Sequence, residues 1–239
     1  MDWYDDVDPR RNYLLAGLPD EELERVLLYM KPVHQEVRDT VYDPNEVITH
    51  VYFPLHSVLS MVAEVDDGVT IEIGTVGYEG MAGLPAFLGA TQSPHAAFCQ
   101  IAGASGRMSV ADLRQLTGSH GVLQRQLQRF TQATVAALSQ GVACNRLHPT
   151  AERLARWLLT TRRRVGADVL PLTHGFLAQM LGARRATVAL GAGMMQTAGL
   201  IDYRRGIITI TDVEGLIDAS CECYGIVEQE YDALLKPPA

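Results

Sequence analysis

"THGFLAQMLGARRATVALGAGMMQTAGLIDYRRGIITITD" occupies residues 173–212 and has the spacing of two short helices joined by a tight turn. Ala178 is small enough to let two helices cross closely, and Gly182, four residues later, supplies the sharp turn between them. Val188, six residues further on, anchors the second helix on the first. This spacing predicts a helix-turn-helix.

A β-hairpin is predicted directly after the second helix. Two short apolar runs flank Arg204, Arg205 and Gly206, which is the composition of two strands with a turn between them. Helix, turn, helix and hairpin together predict a winged helix. We expect its small core to be completed by four apolar side chains, Leu177, Leu181, Met194 and Leu200.

The basic charge of the chain is concentrated around this motif. The 239 residues have a formal net charge of −8, but residues 146–211 contain ten arginines and only three acidic residues. The flanking segments, 1–145 and 212–239, are both acidic. A nucleic-acid backbone is recognised by local positive potential, which distant acidic groups do not cancel. The pattern therefore favours a nucleic acid as partner, with a solvated basic face as the alternative.

Arg184 and Arg185 stand where folding gains nothing from a cation. They fall in the predicted first turn of the second helix, facing the positive end of its dipole, at a cost of about 0.3–1 kcal/mol each. In a helix-turn-helix the same turn enters the major groove, where arginine pairs bidentately with guanine. We expect the pair to contact DNA, with contact to a phosphate as the alternative for Arg184.

The first part of the chain has the texture of an antiparallel β unit. From Val33 to about Val76, β-branched and aromatic residues occur in short runs, and "DDG" at 66–68 fits a hairpin turn between two of them. A segment rich in glycine follows, and strand character resumes at "AAFCQIAG", residues 96–103. This part is therefore predicted to be a β domain.

A long helix is predicted from Leu116 to beyond residue 140. Apolar or small residues recur there at spacings of four and three, as on the contact face of a coiled coil: Leu123, Leu127, Phe130, Thr134, Ala137 and Gly141. We expect this face to form a homodimer axis. The alternative is a helix packed on its own domain.

The combination of a β-roll, a long helix and a winged helix resembles the Crp/Fnr, or catabolite-activator, superfamily of bacterial transcription regulators. The resemblance covers nearly the whole chain and is most specific at "LGARRATVALGAGMMQTAGLI", residues 181–201. Arg185, Thr187 and Val188 match the pattern of the family's recognition helix, and Arg185 takes the position of its guanine reader. Ala186 replaces the glutamate that reads cytosine, so we expect a changed operator.

The resemblance implies an α+β fold in three parts. These are a sensor domain at 1–117 with a cyclic-nucleotide-binding-like β-roll (jelly roll), a dimerisation helix at 118–145 and a winged helix-turn-helix at 146–239. It also implies a homodimer on a two-fold double-stranded DNA operator with half-sites roughly 34 Å apart, and RNA polymerase as a possible further partner. The residues expected at the DNA are Thr173, His174, Arg184, Arg185, Ala186, Thr187, Ala189, Leu190, Arg204 and Arg205. Among these, Leu190 replaces a second arginine of the family pattern.

The sensor domain departs from the family's cyclic-nucleotide binders. Met81 stands where their glutamate holds the ribose, and His95 and Ala96 stand where an arginine and a hydroxyl residue hold the cyclic phosphate. We therefore expect cyclic AMP to bind weakly or not at all. The matching loops either line a pocket for another small-molecule effector or pack a core: Gly80, Met81, Ala82, Gly83, Leu84, His95, Ala96 and Ala97.

Other functions find little support in the sequence. No G-x-x-x-x-G-K-S/T, H-E-x-x-H or G-x-S-x-G motif occurs, so we expect no enzyme. The four cysteines are scattered, so we expect reduced thiols. Cys221 and Cys223 could donate two thiolates to a metal but lack a matching Cys or His pair at finger-like spacing, so we expect half-buried helix cysteines there, no metal site and no certain cofactor.

The chain contains no run of about 18 apolar residues and no signal peptide, which predicts a cytoplasmic protein without membrane contact. One rival function is left open by the sequence. In it, the chain is a sensor or adaptor whose winged helix binds another protein.

Overall fold

The structure is a computed structural model that describes residues 7–65, 69–118 and 121–237. The hairpin turn predicted at 66–68 lies outside these residues. The chain divides into two compact units. The first comprises Met1–Met61, Gly74–Val135 and Glu230–Ala239, and the second comprises Val62–Ile73 and Ala136–Gln229.

The first unit is built on two β-sheets. Its strands are β1 (Met30–Gln35), β2 (Thr40–Tyr42), β3 (His50–Pro54), β4 (Val58–Val65), β5 (Val69–Val76), β6 (Ala96–Ile101) and β7 (Gly103–Ser109), of which the outer ends of β4 and β5 group with the second unit. One sheet has the order β1-β7-β3 and the other β2-β6-β4-β5. The β1–β7, β3–β7 and β2–β6 pairs are antiparallel, which confirms the predicted β domain.

Short helices precede and follow these strands. They are α1 (Tyr13–Ala16), α2 (Asp20–Leu27), α3 (Leu84–Phe87) and α4 (Val110–Thr117). The core between the sheets contains a cluster of Leu59 on β4, Cys99 on β6 and Ala82, against which Tyr52 of β3 packs. Since these residues come from both sheets, the cluster joins one sheet to the other.

The predicted long helix is α5, which runs from Val122 to Leu147 and contributes to both units. The start predicted at Leu116 was wrong, because Leu116 belongs to α4, which ends at Thr117. The carboxylate of Glu22 on α2 accepts the backbone N–H groups of Val122 and Leu123, at 3.2 and 2.9 Å, and so caps the start of the helix. The sequence predicted this helix as a separate dimerisation segment. In the structure, its first half belongs to the core of the first unit.

The second unit continues from α5 through a winged helix. Its elements are α6 (Thr150–Val165), β8 (Val169–Leu170), α7 (His174–Leu181), α8 (Arg185–Thr197), β9 (Ile201–Arg204), β10 (Ile207–Ile210), α9 (Val213–Asp218) and α10 (Cys223–Leu235), whose last residues return to the first unit. The three strands form an antiparallel sheet of order β8-β10-β9. Helix α8 packs on α6 and α7, as a helix-turn-helix requires.

The core of the winged helix contains Leu177 and Leu181 as predicted, but Leu200 is only half-buried and Met194 is exposed. Leu177, Leu181 and Val188 are buried, but Met194 is 61% exposed while Met195 is 5% exposed. The prediction of Met194 was wrong because the buried face of α8 continues from Val188 at helical spacing and reaches residue 195. Among the residues that the structure describes, no helix is long and apolar enough to cross a membrane.

Candidate nucleic-acid interface

The turn between α7 and α8 has the backbone that its sequence predicts. Gly182 ends α7 in the left-handed region, with φ of 58° and ψ of 40°, and donates its N–H to the carbonyls of Ala178 and Gln179. Only glycine adopts this conformation without a steric penalty. At the other end of α7, the Thr173 hydroxyl accepts the N–H of Phe176 at 3.2 Å and caps the helix.

Arg184 and Arg185 stand at the N-terminus of α8. Arg184 is the cap residue, with extended backbone and no side-chain capping bond, and Arg185 is the first helical residue. Arg184, which was predicted in the first turn of the helix, therefore lies one residue before that turn in the structure. Both side chains are exposed, and the first turn contains no acidic residue. Two cations thus face the positive end of the helix dipole without a neutralising neighbour on that turn.

The exposed face of α8 is apolar beyond its first turn. Ala186 and Thr187 are exposed, Val188 is buried and Ala189 is half-buried. One and two turns further along, Leu190 and Met194 are 68% and 61% exposed. Exposed large apolar side chains at helical spacing leave water only on contact with another molecule.

His174 positions the wing instead of presenting a free ring. Its imidazole stacks on Tyr203 of β9, with ring centroids 4.1 Å apart and an interplanar angle of 16°. The Nε2 atom is buried without a hydrogen-bond partner. Burial lowers the pKa of His174 below its usual value, and the nearby Arg185 guanidinium lowers the pKa further. A neutral ring therefore braces α7 against the hairpin.

The wing is a two-residue hairpin between β9 and β10. Arg205 and Gly206 both have positive φ, of 50° and 83°, which is the requirement of a type I′ turn. Arg205 is exposed, and the equally exposed Arg204 pairs with Asp202 at 3.0 Å between Nε and Oδ2. The predicted hairpin is confirmed, and it carries its two arginines into solvent.

Three further arginines of the basic segment have structural partners. In the last turn of α6, Arg162 pairs with Asp168 at 2.6 Å and Arg163 with Glu228 at 2.5 Å, while Arg164 is buried. Five arginines of the segment are exposed: Arg184 and Arg185 at the start of α8, Arg204 and Arg205 on the wing, and Arg146 in the last turn of α5.

The long helix does not present its predicted face to solvent. Leu123, Leu127, Phe130 and Thr134 are buried inside the first unit, and a side chain at Gly80 would collide with the Phe130 ring at 2.1 Å. Ala137 and Gly141 are half-buried. These first four side chains pack on their own domain, since the β domain closes over them. The exposed apolar residues of α5 lie elsewhere, at Val135, Leu138, Val142 and Leu147.

The predicted effector loops are mainly core. Met81 and Ala82 are buried at 0% and 1% exposure, as are Gly80, Gly83 and Ala97, whereas Leu84, His95 and Ala96 are half-buried. Gly83 is left-handed with φ of 97° and precedes α3. The sequence left open whether these loops line an effector pocket or pack a core. The burial of Met81 agrees with a core.

One group of potential ligand side chains was not predicted from the sequence. All four cysteines are buried, including Cys221 and Cys223, for which half-burial was expected. Three of the four meet a histidine within 4.8 Å: Cys144, His148, Cys221 and Cys223. The signal is a C-x-x-x-H pair and a C-x-C pair that stand more than 70 residues apart. Their proximity depends on the tertiary fold.

Comparison with known proteins agrees with this architecture. Residues 152–219 match the family described as the Crp-like helix-turn-helix domain. FixK2 from Bradyrhizobium japonicum has a TM-score of 0.69 at 17% identity, over 80% of this chain and 98% of its own. A Eubacterium rectale protein assigned to the Crp/Fnr family of transcriptional regulators scores 0.67 at 17% identity, over 87% and 98% of the two chains.

A third solved structure is the c-di-GMP responsive global regulator CLP of Xanthomonas campestris. It has a TM-score of 0.60 at 18% identity, over 80% of this chain and 99% of its own. No protein of curated function matches the chain. At these identities the likeness establishes the fold: a cyclic-nucleotide-binding-like β domain, a long helix and a winged helix, as the resemblance implied.

Proposed function

Residues 152–219 form a Crp-like helix-turn-helix domain in a chain with the fold of the Crp/Fnr regulators, and from this premise we propose that the protein is a transcription regulator that binds double-stranded DNA as a homodimer. The observation that carries the proposal is the exposed pair Arg184 and Arg185 at the start of α8. The helix dipole opposes both charges. A polyanion gives them a partner.

The arginines divide into two roles. Arg185, as the first helical residue, enters the major groove and pairs with O6 and N7 of a guanine. Arg184 in the turn, with Arg204 and Arg205 on the wing, contacts phosphates and fixes the register of the domain on the duplex. Thr173 keeps its hydroxyl in the α7 cap, so its part at the DNA is to hold the start of that helix.

The dimer contact is proposed for the second half of α5. Val135, Leu138 and Val142 are 53%, 38% and 73% exposed and follow one another at spacings of three and four. This is the spacing of one coiled-coil face. Two copies joined along this face place two recognition helices on a two-fold operator, with half-sites roughly 34 Å apart.

A small-molecule effector, where one acts, is proposed to differ from cyclic AMP. Met81 and His95 occupy the positions of the family's ribose-binding glutamate and phosphate-binding arginine, but a thioether and an imidazole supply neither the carboxylate nor the guanidinium that hold a cyclic nucleotide. Titration of the purified protein with cyclic AMP tests this. Tight binding would overturn it.

DNA binding is tested by selecting bound sequences from random duplexes with the purified full-length protein. We expect enrichment of a two-fold motif and an affinity that falls steeply as salt is raised, because each neutralised phosphate releases counterions. Recovery of no motif, together with an affinity insensitive to salt, would refute the proposal.

A second function is favoured by one observation, the exposed Leu190 and Met194 on α8. In this alternative the winged helix docks an apolar groove of another protein. The salt dependence separates the two, since an apolar protein contact changes little with ionic strength whereas a phosphate contact weakens.

A further inference from the structure

Three cysteines and a histidine form a buried group in the second unit. Cys144 and His148 lie four residues apart at the end of α5, where the His148 N–H still donates to the Cys144 carbonyl at 3.1 Å. Cys221 lies two residues before Cys223, which is the first residue of α10. The four ligand atoms all lie within 4.8 Å of one another, and we call this group the Cys3His cluster.

The distances inside the Cys3His cluster fit the edges of a coordination tetrahedron. The Cys144 and Cys221 sulfurs are 3.5 Å apart, and the Cys223 sulfur is 3.6 Å from His148 Nδ1. Zinc bonds of about 2.3 Å to sulfur and 2.0–2.1 Å to nitrogen give tetrahedral edges of about 3.5–3.8 Å. A single ion at the centre therefore reaches the ligands with small movements of the side chains.

The surroundings of the Cys3His cluster are those of a metal ligand shell. His148 turns Nδ1 toward the sulfurs, and its Nε2 lies 3.3 Å from the Glu222 carboxylate. A histidine that binds a metal through one nitrogen typically donates the other N–H to a carboxylate, which fixes its tautomer. Gln140 donates its side-chain N–H to the Cys223 sulfur at 3.1 Å, as donors do around coordinated thiolates.

Cations stand near the cluster. Arg156 interacts electrostatically with Cys144, and Arg153 interacts with Cys144 and Cys221. Three thiolates and a divalent ion carry a net charge of −1, which these guanidiniums offset. Among the contacts described, the buried sulfurs meet the Gln140 side-chain N–H, the Cys223 backbone N–H and the His148 ring.

We propose that the Cys3His cluster binds one zinc ion as a structural site. Sulfur and imidazole ligands in a tetrahedron select zinc among the common divalent ions, and four protein ligands leave no open position for catalysis. The ion ties the last turn of α5 to the start of α10, and so holds both ends of the winged helix together. Metal binding to such a site contributes directly to folding.

The test measures metal in the full-length protein purified without chelator. We expect inductively coupled plasma mass spectrometry to find about one zinc ion per chain. After removal of zinc, titration with Co²⁺ is expected to give a thiolate-to-cobalt charge-transfer band and the intense visible bands of tetrahedral cobalt. A chain that takes up neither ion, or that contains iron in place of zinc, would overturn the proposal.

Variants assign the ligands. Cys221→Ser is expected to lose the charge-transfer intensity of one thiolate and to bind Co²⁺ at least tenfold more weakly, whereas His148→Cys keeps a four-ligand site and retains zinc. Cys99→Ser is the matched control, because Cys99 is equally buried but lies in the first unit. Unchanged metal affinity in Cys221→Ser would contradict the assignment.

A surface variant keeps the test decisive if a cysteine variant fails to fold. The Glu222 side chain is 70% exposed, so Glu222→Ala leaves the core intact. We expect its metal affinity to fall about 10–100-fold. An unchanged affinity would count against the site, and so would an intact mass showing Cys144 and Cys221 joined as a disulfide in the freshly purified protein.

Discussion

Arg185→Ala is expected to strengthen folding and weaken DNA binding at the same time. Arg185 is the first residue of α8, is exposed, and has no acidic residue on the same turn. Its charge faces the positive helix end, so its removal relieves an unfavourable interaction. The same removal takes away the proposed contact with guanine. Opposite signs in the two measurements distinguish a functional residue from a structural one.

Both effects have a definite size. Loss of a cation from the first turn of an exposed helix is worth about 0.3–1 kcal/mol, which for a chain of this length raises the midpoint of thermal unfolding by about 1–4 °C at low salt. Loss of a bidentate arginine–guanine contact costs about 1–3 kcal/mol for each half-site, or roughly 5–150-fold in affinity.

The assay compares wild type and variant by thermal unfolding and by titration of the selected operator. A second operator, with the guanine replaced, is titrated in parallel. If Arg185 contacts that guanine, the arginine substitution should cost affinity on the selected operator but not on the second one, where the contact is already absent. Arg114→Ala is the matched control. Arg114 is exposed in the last turn of α4, where a cation is favourable, so its removal should lower stability slightly and leave DNA affinity unchanged.

Two outcomes would refute this reasoning about Arg185. If Arg185→Ala bound both operators as wild type does, the residue would not contact DNA. If the variant lost affinity equally on all sequences, Arg185 would contact a phosphate, and the reader of the guanine would have to be sought elsewhere on α8.

Three further predictions concern the turn, the dimer and a histidine. Gly182→Ala should destabilise the winged helix by about 1–2 kcal/mol in urea unfolding because its φ of 58° is left-handed, whereas Gly193→Ala, in open space on α8, should stabilise it by about 0.5–1 kcal/mol. Val142→Glu should weaken the dimer at least about a hundredfold in sedimentation, since two buried valines contribute roughly 3 kcal/mol, while Leu88→Glu on the exposed end of α3 should leave it unchanged. In NMR titration, Arg185→Ala should raise the pKa of His174 only part of the way to its ordinary value, because the ring stays buried. An unchanged pKa would show that Arg185 does not act on His174.

Local chemistry made the helix-turn-helix predictable. The turn requires positive φ at Gly182, and Val188 anchors the second helix on the first. Both features depend on residues close in sequence, and the structure confirms both. The wing followed from the same kind of signal, since two-residue hairpins need positive φ at both turn positions. The burial of Met195 could also have been predicted, because helical spacing from Val188 leads to Met195 and not to Met194.

Two features depend on long-range contacts and could not be predicted from the sequence. The face of α5 that carries Leu127 and Phe130 is apolar with coiled-coil spacing, but so is the shorter face at Val135, Leu138 and Val142. Which one is buried is decided by the β domain, where Gly80 packs against the Phe130 ring. The Cys3His cluster likewise joins sulfurs 77 residues apart, at a separation where spacing carries no information.

The composition of α8 constrains what kind of operator the protein can read. Ala186 and Leu190 offer no hydrogen-bond donor or acceptor and Met194 only a weak acceptor, so the polar readout by the first half of the helix is confined to Arg185 and Thr187. Apolar side chains in the major groove discriminate by contact with the thymine methyl group. If the helix docks in the major groove as proposed, each selected half-site should contain one guanine with thymines beside it. Replacing those thymines by uracil, which lacks the methyl group, should then weaken binding at the bases that face the apolar residues. A half-site rich in guanine and cytosine would require polar contacts that this helix does not possess.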